Sequence, residues 1–254
     1  MKVLILVFVV MSLLVLSPIS YSLDKSLVLY LPFDEGSGDT VKDSTQYGND
    51  GVIVPNGDWV NGKYGKAIQV TAGKGHVDIQ PSDSLTGDTF VESFTLNGWI
   101  KPALTGDSFQ HIWRSRPVES GHNTLFVNTG GFLSWRGMAP AWTTLCEGTA
   151  GDIAKDEWSF FTIVSDGKNF RMYVNDKLVK ESAFMKTNGT IMTYHVGGDG
   201  LSENYTGAID EICVWNRTLS ENEIINLYTK GMKAFMAVDS VDKLITMWSE
   251  IKAH

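Results

Sequence analysis

The chain has 254 residues, with 21 basic and 29 acidic side chains, a formal net charge of −8 and two cysteines. An acidic balance without a basic cluster argues against a nucleic-acid partner. The two cysteines, Cys146 and Cys213, exclude a scaffold built from many disulfides, while a single bond and two buried thiols both remain open.

The opening segment, MKVLILVFVVMSLLVLSPISYS, carries one Lys, an unbroken apolar run, then Ser20 and Ser22 around Tyr21. That is the anatomy of a secretory signal peptide cut after Ser22. No later run reaches the ~20 apolar residues that span a bilayer. The expectation is therefore a secreted, extracellular or periplasmic chain without membrane insertion after cleavage. Residues 23–254 hold 232 residues (254 − 22) and a net charge of −9 (20 basic minus 29 acidic). This length suits one β-rich domain with a small appendage.

In chain order, β-type runs occupy 26–33, 51–54, 66–70, 76–80, 94–102, 110–114, 123–128, 158–165, 169–175, 177–182 and 205–216, separated by turn residues. Asp166-Gly167 between two alternating runs signals a hairpin, because glycine tolerates the positive φ of such turns. Asn175-Asp176 supplies a second turn, which predicts three consecutive antiparallel strands. A helix is predicted over 221–230, with Ser220 as N-cap, Glu223 as its capping-box partner, and Leu219 and Ile224 as a hydrophobic staple. Gly231 suits its end. In the tail, 233–254, residues Leu244, Met247, Trp248 and Ile251 share a helical face, although KLITMW also reads as a strand.

From 27 to 230 the residues LVLYLPFDEGSGDTVKDSTQYGNDGVI, GKYGKAIQV, HVDIQPSDSL, FTLNGWIKP, DEWSFFTIVSDGKNFRMYVNDKLV and GAIDEICVWNRTLSENEI come in a specific order. Their order and spacing resemble the laminin-G-like, pentraxin-related domains of the concanavalin A-like lectin/glucanase group. The resemblance implies an all-β jelly roll over 23–232: a two-sheet antiparallel β-sandwich with neighbouring first and last strands and one short C-terminal helix. The segment 104–156 departs from the pattern, with poorly marked strands.

Within GAIDEICVW, strict alternation places Asp210 with Ile212 and Val214, and Glu211 with Ile209, Cys213 and Trp215. One carboxylate then points toward the core side, which requires pairing, hydrogen bonds or a metal. The loop FDEGSGDTVKDSTQYGNDG offers Asp34, Glu35, Asp39, Asp43, Asn49 and Asp50 among glycines, oxygen donors that suit Ca²⁺. Similar domains hold a structural calcium near these segments. The resemblance thus implies Asp34, Asp43 and Asp210 as side-chain ligands, with Asn49 or its neighbours adding backbone oxygens. The alternative is that these acids only organise turns.

Glycosidases of this fold set their acids at alternate positions of one strand, whereas Asp210 and Glu211 are adjacent in sequence. His76, His111, His122, His195 and His254 are scattered without metal-helix spacing, and no G-x-S-x-G elbow occurs. The expectation is a non-catalytic domain. Trp113, Trp135 and Trp142 cluster with Arg114, Arg116, His122 and Arg136 in the divergent segment. Flat rings beside polar groups suit sugars, so Trp113, Arg114, Trp135, Arg136 and Trp142 are the candidate ligand site, although large aromatics are usually mostly buried. The expected partner is a glycan or an extracellular glycoprotein. An adhesive module for a protein surface and a degenerate glycoside hydrolase are the alternatives. Asn188, Asn204 and Asn216 lie in N-x-T sequons, whose meaning depends on the host.

Overall fold

Side chains of a strand alternate between faces, so apolar residues at every second position bury one face of a sheet. In this chain that pattern closes two antiparallel sheets onto each other. The computed structural model describes residues 24–237, apart from 56, 72–73, 117–122, 139–140 and 188–192. The expected signal segment, Asn188, His122 and the tail from 238 therefore lie outside the described residues.

With strands numbered in chain order, the back sheet runs β14 (Lys177–Ala183), β13 (Asn169–Val174), β12 (Ser159–Asp166), β7 (Ser93–Pro102), β16 (Gly207–Trp215), β5 (Lys66–Val70) and β4 (Asp58–Asn61). Strand β1 (Leu27–Leu31) also pairs with β16, so the first and last strands are neighbours as the resemblance implied. The front sheet runs β11 (Trp142–Glu147), β10 (Phe132–Met138), β9 (Asn123–Asn128), β8 (Phe109–Arg116), β15 (Thr193–Val196), β6 (His76–Ile79), β3 (Gly51–Val54) and β2 (Thr40–Val41). Leu96, Ile100, Phe161 and Ile209 of the back sheet meet Ile112, Leu125, Val127 and Tyr194 of the front sheet in one core.

The expected three-strand meander is β12, β13 and β14. Gly167 takes φ 75° at its first turn, and the Asp166 carboxylate accepts the amides of Lys168 and Asn169. Strands β2, β4, β10, β11 and β15 were not expected. Three of them have only two or four residues. In β10 the alternation of Leu133 and Trp135 with Ser134 and Arg136 is present, but a charge and a glycine dilute it.

Helix α1 (Glu221–Lys230) follows the predicted signals. Ser220 accepts the Glu223 amide while Glu223 Oε2 accepts the Ser220 amide at 2.8 Å. Leu219 and Ile224 are both buried in a second cluster, on the outer face of the back sheet, with Tyr30, Trp99, Phe160 and Trp215. This is why β7, β12 and β16 are apolar on both faces. Gly231, at φ 76°, ends α1, and a further helical turn spans 232–237. Cys146 lies in the front sheet and Cys213 in the back sheet, both buried as free thiols.

Strand β16 breaks the simple alternation expected of it. Asp210 stands opposite Trp99 and Cys213 opposite Asn97, so Glu211 and Ile212 together face only Gly98. This is a β-bulge, and Glu211 adopts φ 53° to make it. A Cβ on Gly98 would lie 2.5 Å from Ile212 Cδ1 and 3.2 Å from the Phe161 ring, so a larger residue would force these side chains to shift. The extra residue keeps Ile209, Ile212 and Val214 in the core and turns Asp210 and Glu211 to the same side, under the helical segment.

Candidate functional site

Among the described residues no helix covers the outer face of the front sheet, and its outward side chains form a pocket of about 230 Å³. Alternation sets its floor. Thr124 and Phe126 of β9 point outward while Leu125 and Val127 enter the core. His111 of β8 lies beside Phe126, with ring centroids 4.7 Å apart. Trp142 of β11 stands edge-on to Phe126 at 6.4 Å and is 44% exposed, forming one wall. Arg136 of β10 forms another. Its guanidinium lies 3.9 Å from the Phe109 ring centroid and donates to Ser134 Oγ at 3.0 Å and to Glu147 Oε2 at 3.3 Å.

On the β15 side, Arg114 donates to Asp199 Oδ2 at 2.8 Å. The loop from Asp199 to Asn204 is tied by Asn204 Oδ1, which accepts the amides of Asp199 and Gly200. Glu203 caps the pocket from this loop at φ 51°, a conformation disfavoured for a side chain of its size. Three contacts hold it there. Its carbonyl accepts the His111 amide at 2.8 Å, its own amide donates to Asp107 Oδ2 at 3.0 Å, and its carboxylate lies 3.5 Å from His111 Nε2. Strained backbone held by its surroundings is a recurrent feature of binding sites.

Burial pushes the His111 imidazole down to about 3, so it is neutral at ordinary pH. Burial also raises the Glu203 carboxyl, against the pull of Arg114. His111 Nδ1 and Thr124 Oγ1 are buried at the base of the pocket without a hydrogen-bond partner. A larger recess of about 480 Å³ lies beside Tyr47, Ser82 and Asn216. Two of its hydroxyls are engaged by Asn49: Ser82 donates to Asn49 Oδ1 at 2.6 Å and Asn49 Nδ2 donates to Ser84 Oγ at 3.0 Å. The front pocket instead sets an exposed indole and a guanidinium beside the Glu203 carboxylate.

Of the five side chains expected to bind a ligand, Arg114, Arg136 and Trp142 line this pocket. Trp113 and Trp135 do not. Both are 0% exposed and pack on Phe90 inside the sandwich, at 5.5 Å and 6.2 Å between centroids. A shift in pairing register between His111 and Trp113 turns Ile112 and Trp113 both inward, and Trp135 follows the inward positions of β10. The sequence reading missed His111, Thr124, Phe126 and Glu203. The alternation of NTLFVN could have marked Thr124 and Phe126; Glu203, in an irregular loop, had no local signal.

The four expected calcium ligands divide between two places. Asp43 accepts the amides of Tyr30, Thr45 and Asn49 and the Thr45 hydroxyl, which makes it the organiser of its turn. Asn49 bonds Val28, Ser82 and Ser84 with its side chain. Asp34 and Asp210 instead belong to the acid group under the helical segment. There Asp34 takes the Lys66 amide at 3.0 Å and the Lys233 ammonium at 2.7 Å, and Asp210 Oδ2 takes the Tyr64 amide at 3.0 Å. Glu211 accepts the Tyr30 hydroxyl at 2.8 Å. Asp210 Oδ1 is buried and unpaired. Among the described residues no three Asp, Glu, His or Cys side chains gather in a metal-holding group. Asp34 and Asp210 thus share one environment, while Asp43 and Asn49 organise their own turn.

The two packed sheets define an antiparallel β-sandwich of the jelly-roll class. The family model described as the concanavalin A-like lectin/glucanases superfamily, Laminin_G_3, matches residues 71–225, and the chain belongs to that family. Among curated proteins none matches the sequence. Among solved structures, domain 4 of AbnA, an extracellular arabinanase of Geobacillus stearothermophilus in complex with arabinotriose, is similar at TM-score 0.62 and 17% identity, covering 80% of this chain and 98% of that one. The binding domain of Paraclostridial Mosquitocidal Protein 1 gives 0.63 and 18%, covering 80% and 52%. The ligand-binding domain of botulinum neurotoxin serotype D in complex with N-acetylneuraminic acid gives 0.64 and 16%, covering 80% and 50%. The chain spans about half the length of these toxin domains. At such identities the likeness concerns the fold. No helix among the described residues is long and apolar enough to cross a membrane.

Proposed function

We propose that this domain is an exported, non-catalytic module that binds carbohydrate in the front-sheet pocket. The observation that carries the reading is the exposed Trp142 ring standing beside the Arg136 guanidinium and the Glu203 carboxylate in one pocket. The C–H face of a sugar ring would pack on the indole while the guanidinium and the carboxylate address its hydroxyls. Two structural neighbours were solved with a sugar, arabinotriose in one and N-acetylneuraminic acid in the other, which supports the same class of ligand here. Export rests on the N-terminal segment, whose apolar run and small residues fit a signal peptide.

Binding rather than catalysis is favoured because Glu203 is the single carboxylate among the lining side chains, whereas glycoside hydrolysis uses two, and the nearby acids are engaged by partners: Asp199 by Arg114, Glu147 by Arg136, and Asp107 by the Glu203 amide. Glycan-array screening followed by calorimetry on the best hit tests the proposal. Specific binding that Trp142→Ala weakens by about 10-fold or more, with an unchanged melting temperature, supports it. Binding that Trp142→Ala and Arg136→Ala leave untouched would move the site elsewhere.

A further inference from the structure

The charges around the front pocket narrow the class of sugar, on the premise that the carbohydrate reading holds. Two guanidiniums reach the pocket, and each already faces a carboxylate: Arg114 meets Asp199 at 2.8 Å, and Arg136 meets Glu147 at 3.3 Å. Asp199 is buried in this pair, with its side chain 1% exposed. Glu203 then adds a third carboxylate at the rim, and Asp107 stands behind it. His111 contributes no compensating charge, because burial keeps its imidazole neutral. Across the sheet, His195 pairs in register with Arg114 and directs Nδ1 to Asp78 at 2.6 Å, so the next acid is also held by a partner. Among the described residues the rim therefore presents an acidic surplus, whereas a site for an anionic sugar needs unspent guanidinium or ammonium groups.

The pocket is also small and bounded on three sides. Its volume of about 230 Å³ falls below the ~300–1,000 Å³ of pockets that enclose drug-sized ligands. Trp142 closes the β11 side, the Arg114–Asp199 pair closes the β15 side, and Glu203 closes the rim. A long polysaccharide lying across the sheet would have to lift over the exposed Trp142 wall and the Glu203 rim. We propose that the pocket grips one uncharged sugar ring at a chain end, with Trp142 against its C–H face and Glu203 and Thr124 on its hydroxyls.

The experiment is titration calorimetry of the full chain with neutral oligosaccharides chosen from the array and with the same oligosaccharides capped by N-acetylneuraminic acid or a hexuronate. The expected result is neutral binding at similar affinity in low and high salt, with the acidic cap weakening it by at least about 10-fold. Glu203→Gln should narrow that discrimination while the protein keeps its melting temperature. An acidic-capped glycan binding as tightly as the neutral one, or more tightly, overturns the charge inference and leaves the carbohydrate reading standing. A polysaccharide that binds far better per chain end than its short oligomers overturns the single-ring inference. Absence of binding to every glycan overturns the carbohydrate reading itself and this inference with it.

Discussion

Tyr30 on the first strand donates its hydroxyl to the Glu211 carboxylate on the last strand of the same sheet, at 2.8 Å. The contact exists because the bulge in β16 turns Glu211 to the outer face, where Tyr30 and the helical segment enclose it. Glu211 and Asp210 are thus neighbours in sequence that share one buried environment, with Lys233 and Asp34 at its edge.

Stability should fall as pH rises through neutrality. Burial raises the Asp210 carboxyl to about 8 and that of Glu211 to about 7. An acid whose folded pKa exceeds its unfolded value holds its proton more tightly when folded, so it stabilises the fold below the unfolded value, about 4, and loses that contribution as pH climbs through 7 and 8. At the acid end, Asp34, Asp166 and Glu223 are held low by their partners and lose stability as they protonate. Denaturant melts from about pH 5 to pH 9 should show a decline of the order of 1–3 kcal/mol, and Asp210→Asn should flatten it. A stability that rises across this range would contradict the arrangement.

Calcium and EDTA should both leave the melting temperature nearly unchanged. Lys233 already places a positive charge on Asp34, and Asp43 and Asn49 spend their oxygens within their own turn. A rise above about 2 °C on adding calcium, the shift expected for ~1 kcal/mol in a domain of this size, that vanishes in Asp210→Asn would reinstate the ion.

Trp142 and Trp113 should behave oppositely, although they belong to one tryptophan cluster in sequence. Trp113→Ala removes a fully buried ring and should cost about 3–5 kcal/mol. Trp142→Ala removes an exposed wall and should cost well under ~1 kcal/mol of stability, with the loss falling on ligand affinity. Chemical denaturation and calorimetry on both variants separate the two effects.

Ser220→Ala should destabilise the domain by about 1 kcal/mol, because the Glu223 amide loses its acceptor. Glu223 also accepts from Arg217 at 2.7 Å, and Arg217 donates to Asp24 as well at 2.9 Å. Ser220→Asp, which keeps the cap oxygen, should recover most of the loss in a denaturant melt.

Both thiols should be silent in the native state. Cys146 and Cys213 lie in opposite sheets, and burial pushes both thiols up. A thiol reagent should titrate them only after unfolding, and reductant should not move the melting temperature. A mass loss corresponding to a disulfide would contradict the placement.

The long central strands, the β12–β14 meander and the capped helix were legible because each carries its signal locally: alternation, a glycine turn, a serine followed by a glutamate. Two features were not. The β16 bulge depends on what stands opposite, since only pairing with Gly98 reveals that Glu211 is the extra residue. The fate of each tryptophan depends on strand parity, and the register shift at Ile112 reversed it for Trp113. The pocket was half visible. Arg114 comes from a marked strand, and Arg136 and Trp142 showed only as members of the aromatic and arginine cluster because β10 and β11 are poorly marked, while Glu203 arrives from a loop whose position is fixed by the amide of His111, far away in sequence.

The seam between β1 and β16 also bears on how the chain is made. Tyr30 and Glu211 are separated by 181 positions, and β16 is interior, flanked by β7 on one edge and by β1 and β5 on the other. Its neighbours must wait, edges unpaired, until the ribosome has passed Trp215. Such long loop closures slow folding, so the back sheet can shut only after nearly the whole sandwich has been made.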